Sequence, residues 1–122
     1  MPMTLSDIQR SLRAKIIVGD DKLNIQVMAG AASDLMSDLL MGPAKTGVVV
    51  FSGLCNIQVI RTAVLSGVAA LVLVRGKEPD QDMVSHARKH GLPLMSTPFT
   101  MFTACGRIFK EGLKGVEHKV TE

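Results

Sequence analysis

The first forty residues mix helical spacing with alternation. Thr4-Leu5-Ser6-Asp7 sets a hydroxyl three residues ahead of a carboxylate, the spacing of a capping box, and Ile8 and Leu12 follow one helical turn apart. Residues 15–18 (KIIV) predict a short strand, stopped by Gly19-Asp20-Asp21. Residues 24–28 alternate, Ile25 and Val27 against Asn24 and Gln26, the pattern of a half-buried strand. Ser33-Asp34 then opens a helix predicted over 33–41 and ended by Gly42-Pro43.

From residue 47 the rhythm changes. A β-branched run (47–52) leads through Gly53 to a helical pattern at 56–66, with Ile57, Ile60 and Val64 on one face and Gly67 closing it. A second apolar run (69–74) leads to a helix capped by Asp80, running to His90 and closed by Gly91. A third run (92–95) leads through Thr97-Pro98 to a last helix ending near Phe109, with Pro98 at its first position. Strand and helix alternating every 22 to 25 residues or so indicates a parallel sheet with crossover helices. Strands without internal alternation are covered on both faces. The predicted fold is therefore a three-layer αβα domain with a mostly parallel sheet, over residues 1–111. The tail at 112–122 (GLKGVEHKVTE), Gly-spaced and charged, is expected to be loose.

Composition narrows the partners. The chain has four Phe, no Tyr and no Trp, which argues against recognition by aromatic stacking on bases, sugars or proline-rich peptides. Its net charge of +3 is scattered, and no run of basic residues exceeds two, so nucleic acid is not an expected partner. The longest apolar stretches have about seven residues, against the ~20 of a membrane span. The N-terminus lacks the basic flank and apolar region of a secretory signal. Cys55 and Cys105, fifty residues apart, fit two free thiols in a reducing cytoplasm. His86 and His90 share a helical face, but with Arg88 and Lys89 around them and no acid between, no metal is expected.

In open parallel sheets ligands bind outside the carboxyl ends of the strands. Three turns then share one rim: Ser52-Gly53-Leu54-Cys55-Asn56, Arg75-Gly76-Lys77-Glu78-Pro79 and Ser96-Thr97-Pro98-Phe99-Thr100. Together they offer hydroxyls, an amide, two cations and three helix N-termini, a cradle for a small anion. The plainer reading makes Asn56, Asp80 and Thr97 helix caps, and Gly53 and Gly76 turn residues. The glycine spacing fits neither common phosphate-loop motif. Arg61 is either a solvated helix charge or a contact to an interface or ligand. Ser33-Asp34 is a helix start first and a contact second. Cys55, at a helix N-terminus, occupies a position that lowers a thiol's pKa, although no His is near it in sequence. Cys105 reads as core.

The assembled segments resemble the DRTGG domain family, related to the N-terminal domain of HPr kinase/phosphorylase and grouped by fold with the N-terminal domains of Mur ligases. They are AKIIVGDDKLN with a following V-x-A-G-A-A-S-D-L-M, then VVVFSGLCNIQVIRTA, ALVLVRGKEPD and HGLPLMSTPFTMFTACG, in order from Leu12 to Phe109. Gly53, Arg61, Thr62, Gly76 and Thr97 match the family's pattern. Two places depart from it: Leu54-Cys55 stands where the family has its Asp-Arg pair, and Arg75-Gly76 where it has Gly-Gly. The resemblance implies a regulatory, ligand-sensing module without catalysis and without a cofactor. The expected ligand, a small anionic metabolite or a partner protein, would then meet the matched Gly53, Arg61, Thr62, Gly76 and Thr97 together with Ser52, Asn56, Arg75, Lys77 and Thr100 of the three turns, Arg75 and Lys77 replacing the missing pair's cation by the reading of the turns alone. A cytoplasmic homodimer is the expected assembly, joined by helix 33–41 or a sheet edge. The alternatives are an assembly or redox accessory of a larger, hydrogenase-type complex, since stand-alone members are often encoded near such genes, or an enzyme built on Cys55.

Overall fold

Val48, Val49, Val50, Phe51 and Ser52 are all buried, and the alternation of strand side chains sends them to opposite faces of one sheet. Val49 and Phe51 join one apolar cluster, Val48 and Val50 another. A strand buried on both faces needs a layer on each side, and the chain supplies both. The computed structural model describes residues 3–40 and 45–116.

The six-stranded sheet is built from β2 (Lys15–Val18), β4 (Ala29–Ala32), β5 (Val48–Ser52), β6 (Ala70–Leu73), β7 (Leu94–Ser96) and β8 (Lys114–Gly115), in the order β2-β7-β6-β5-β4-β8. Every neighbouring pair is parallel except β2–β7, which is antiparallel and slips register between Ile16 and Val18. Helices α1 (Leu5–Leu12) and α5 (Met101–Lys110) cover one face, where Ile8, Leu12, Ala104 and Ile108 share a cluster with Phe51 and Val72. Helices α3 (Ile57–Ser66) and α4 (Gln81–Lys89) cover the other, where Ile60, Ala63 and Met83 share a cluster with Val50 and Leu71. Each fully buried Leu or Ile contributes about 1.5–3 kcal/mol by leaving water, so both layers are needed to hold the sheet. The three-layer, mostly parallel architecture is the one the segment rhythm predicts. A short ribbon, β1 (Met3–Thr4) antiparallel to β3 (Gln26–Val27), ties the N-terminus down, and Thr4 caps α1 in a reciprocal pair with Asp7.

Four local expectations are corrected. The strand over 24–28 shrinks to the two residues of β3, and the chain then enters β4, which the pattern does not announce. β4 reads AGAA, residues of weak strand preference, and it forms because β5 and β8 pair with it on either side. The helix over 33–41 is a shorter α2 (Met36–Leu40): Ser33 Oγ accepts from Leu35 N–H at 3.0 Å in a local turn, and Asp34 reaches elsewhere. Residues 41–44, including the Gly42-Pro43 stop, lie outside the described residues. Pro98 is not the first residue of the last helix, since Thr100 is its N-cap, accepting from Thr103 N–H at 3.4 Å. At the C-terminal end Leu113 is 2% exposed and Lys114–Gly115 pair with β4, so order extends past Gly112 into a sixth strand.

Candidate functional site

The carboxyl ends of β4, β5, β6 and β7 point the same way, so four turns, not three, line one rim. Hydrogen bonds join them edge to edge. Asp34, after β4, accepts from Gly53 N–H at 2.6 Å and from the Ser52 hydroxyl at 3.0 Å. Cys55 Sγ donates to the Glu78 carbonyl at 3.4 Å. Arg75 N–H donates to the Phe99 carbonyl at 2.7 Å, and Gly76 N–H to the Thr97 carbonyl at 2.8 Å. Ser96 Oγ donates to the Lys77 carbonyl at 2.7 Å.

Charge gathers where the first two turns meet. A Cβ on Gly53 would lie 3.3 Å from Asp34 Oδ2 and 3.7 Å from Arg75 Nη2, so a side chain there would crowd the carboxylate by a few tenths of an ångström and touch the guanidinium at ordinary contact distance. Arg75 holds a left-handed conformation, φ 60°, rare and costly for a residue with a side chain. Gly76 continues the left-handed turn at φ 67°. Glu78 is engaged by Lys15 at 3.8 Å, whereas Arg75 and Lys77 enter no ion pair among the described residues. The N-termini of α3 and α4 open on the same rim, capped by Asn56 (from Val59 N–H, 3.0 Å) and Asp80 (from Met83 N–H, 2.9 Å).

The residues singled out by sequence divide in three. Ser52, Gly53, Arg75, Gly76 and Lys77 come together with Asn56 at the rim, and Thr100 caps α5 beside them. Thr97 belongs to the rim by backbone only: its side chain is fully buried and donates to the Leu12 carbonyl at 2.6 Å, locking α1 against the sheet. Thr62 is buried within α3. Arg61 is exposed on α3 and lines a separate recess with Asp82, Ser85, His86 and Lys89 of α4. Asp34 is the rim residue that sequence reasoning placed second. Recognising AGAA as a strand would have put Asp34 at a strand end, next to the Gly53 turn.

The cysteine and histidine candidates sit in the following surroundings. Partial burial pushes the Cys55 thiol up from its ordinary pKa despite Lys77 nearby, so the helix N-terminus does not make a thiolate of it. Burial pushes Cys105 up as well. The rings of His86 and His90 lie 4.4 Å apart. Desolvation, then the neighbouring His90, Arg61 and Lys89, lowers the pKa of His86. No third metal-ligating side chain joins them among the described residues. No described helix is long and apolar enough to cross a membrane.

No curated protein sequence matches the chain. Among solved structures, it is similar to the CBS and DRTGG domains of the regulatory region of Clostridium perfringens pyrophosphatase, determined in complex with the activator diadenosine tetraphosphate. The TM-score is 0.72 at 19% identity, covering 86% of this chain and 45% of that one, so the likeness is one of fold and spans under half of the longer protein. The sequence profile of the DRTGG domain matches residues 7–110, nearly the whole described fold, and by that match the chain belongs to the DRTGG domain family.

Proposed function

We propose that this chain is a non-catalytic regulatory module, a cytoplasmic homodimer, that binds a small anionic metabolite bearing phosphate groups, a nucleotide included, at the rim after the parallel strands. One observation carries the reading. Arg75 and Lys77 stand on a turn pinned by two backbone hydrogen bonds to the 97–99 segment, beside Gly53 and free of ion pairs among the described residues. A fixed backbone with unpaired cations and helix N-termini is suited to an oxyanion. The relative's activator, a dinucleoside polyphosphate, is an anion of this class and supports the reading. Ser52, Asn56 and Thr97 serve the site by shaping it, and Gly76 and Thr100 border it. Arg61 and Thr62 are left outside.

The test is a thermal-unfolding panel with ATP, diadenosine tetraphosphate, pyrophosphate, acetyl phosphate and citrate. A true ligand at 100 times its Kd stabilises by about 2.7 kcal/mol. The gain disappears in Arg75→Ala/Lys77→Ala. No stabilisation by any of the five overturns the proposal. A second reading, an assembly or accessory protein docking a larger complex, is favoured by Leu35 and Leu40, which are 58% and 53% exposed around α2. Capture of a defined complex that survives Arg75→Ala/Lys77→Ala, with no ligand effect, selects it.

A further inference from the structure

The face farthest in character from the rim lies between α5 and the β4–β8 end of the sheet. There, among the described residues, α5 leaves the outer strands uncovered, opening an apolar groove of about 380 Å³. Its floor is small: Gly30, Ala32 and Gly115 add little bulk. Its lip is the reverse. Phe102 is 90% exposed and Phe109 67% exposed, half of the chain's four aromatic residues held in water. Between them Gly106 presents bare helix backbone, with nothing among the described residues within 4 Å of where a Cβ would be.

We infer that this face is the two-fold interface of a homodimer, α5 packing antiparallel on α5 of a second copy across Gly106. The inference rests on the homodimer in the functional reading and gives that dimer its contact. A two-fold interface is self-complementary, so one patch must carry both knob and hole. Here two Phe knobs border the groove that is to receive them. Residues 102, 106 and 109 fall on one helical stripe by their spacing of four and three.

Charge fixes the direction. An antiparallel pair centred at 105–106 sets Phe102 opposite Phe109 of the second copy, Lys110 opposite Met101 and Arg107 opposite Ala104. A parallel pair sets Lys110 against Lys110. The antiparallel arrangement also opposes the helix dipoles.

Area fits too. At roughly 200 Å² per aromatic side chain, the two exposed rings alone withdraw about 300 Å² per protomer, and a standard interface takes about 800 Å² per partner. The apolar groove lining and Val116, 41% exposed beyond β8, add to that area. The sheet edges are poorer candidates. β8 has two residues, one of them Lys114, and β2 begins with Lys15 and slips register, devices that discourage edge pairing.

The experiment is sedimentation equilibrium on the full chain and three variants. Gly106→Arg puts a long cation into open space in the monomer and improves helix propensity, so the fold tolerates it while the helices are held apart. Wild type is expected to be a dimer. Gly106→Arg and Phe102→Glu/Phe109→Glu should weaken it at least 100-fold with unchanged circular dichroism, and Leu35→Glu/Leu40→Glu should remain dimeric. A dimer that persists in Gly106→Arg overturns this interface and leaves the homodimer standing. Dissociation by the Leu35/Leu40 variant alone moves the contact to α2. A wild-type monomer at 200 μM or so overturns both. If Phe102→Glu/Phe109→Glu does not fold, Gly106→Arg decides alone.

Discussion

Asp34 Oδ1 accepts the Gly53 N–H at 2.6 Å, so a carboxylate of the protein itself sits at the end of β5, where the rim would otherwise offer its backbone to an anion. The Ser52 hydroxyl donates to the same oxygen and accepts from Leu54 N–H, which fixes the turn without any ligand. On the proposed reading, an incoming anion would meet an internal competitor at Gly53 and cations one turn further on, at Arg75 and Lys77. On that reading Asp34 would both stabilise the unliganded state and oppose binding, a simple route from ligand to conformational change at the β4–α2 turn.

Asp34→Ala separates these two effects. Losing a charged acceptor for a buried hydroxyl and an N–H destabilises the free protein by about 1–2 kcal/mol, toward the low end because Asp34 is solvent-exposed and water replaces part of the bond. Removing one negative charge near the rim should tighten pyrophosphate about fivefold, the factor that ~1 kcal/mol of surface repulsion represents. Urea unfolding reads the first and calorimetric titration the second. Weaker binding in Asp34→Ala makes Asp34 part of the binding set and not a competitor.

Thr97→Val tests the hydroxyl beneath the rim. Its side chain is fully buried and donates to the Leu12 carbonyl at 2.6 Å, across 85 residues of sequence. Valine keeps the shape and strands the carbonyl, at a cost of about 1–3 kcal/mol. Thr97→Ser keeps the bond and should recover most of the loss. Equal stability of the valine variant and wild type, by urea midpoint at constant slope, shows that water or another donor reaches Leu12.

Val48–Ser52 and Ala70–Leu73 were legible because β-branched and aliphatic runs of that length bounded by glycine have few other uses. Asn56 and Asp80 were legible as caps because capping is local in sequence. β4 was not: Ala-Gly-Ala-Ala carries no strand signal, and its pairing depends on neighbours 19 and 85 residues further on. The position of Asp34 was lost with it. Thr97 was misread for a related reason. A threonine before a proline resembles a cap, and only the three-dimensional packing of α1 shows that its hydroxyl faces inward. Thr62 and Arg61, carried by family resemblance, sit on α3, and whether a helical residue faces core, rim or neighbouring helix depends on how the helix docks.

The two thiols should behave alike. Burial raises the pKa of Cys55 and of Cys105, so both remain protonated at neutral pH and above. Iodoacetamide labelling followed by mass spectrometry should be slow at pH 7 for both, rising only beyond the ordinary thiol range. The linked stability has a definite sign. With the folded pKa above the unfolded value, the unfolded chain releases protons first, so stability is full below about pH 8.5 and declines as pH rises through the unfolded thiol pKa. Cys55→Ser/Cys105→Ser should flatten that alkaline limb. Rapid labelling of Cys55 at pH 7 revives the thiol-based alternative.

Arg75 and Arg13 form a natural comparison, the two described residues other than glycine with positive φ, 60° and 49°. Arg13 closes α1, its N–H bonded to the Arg10 carbonyl, and is exposed outside the four rim turns in sequence. Both are exposed, and both hold a left-handed conformation that costs a side-chain-bearing residue ~1–2 kcal/mol. Asparagine tolerates that conformation better, and unlike glycine it adds little freedom to the unfolded chain. Arg13→Asn and Arg75→Asn should therefore each stabilise the free protein, by about 0.5–1 kcal/mol. They should part company on ligand: Arg13→Asn binds pyrophosphate as wild type does, whereas Arg75→Asn loses about tenfold or more, the ~1.4 kcal/mol of one charge-assisted contact. That outcome would mark Arg75 as kept for its side chain and not for its turn, with strain relieved only at the expense of binding. If Arg75→Asn gains stability and binds unchanged, the left-handed arginine is a tolerated accident and the cation at the rim is Lys77.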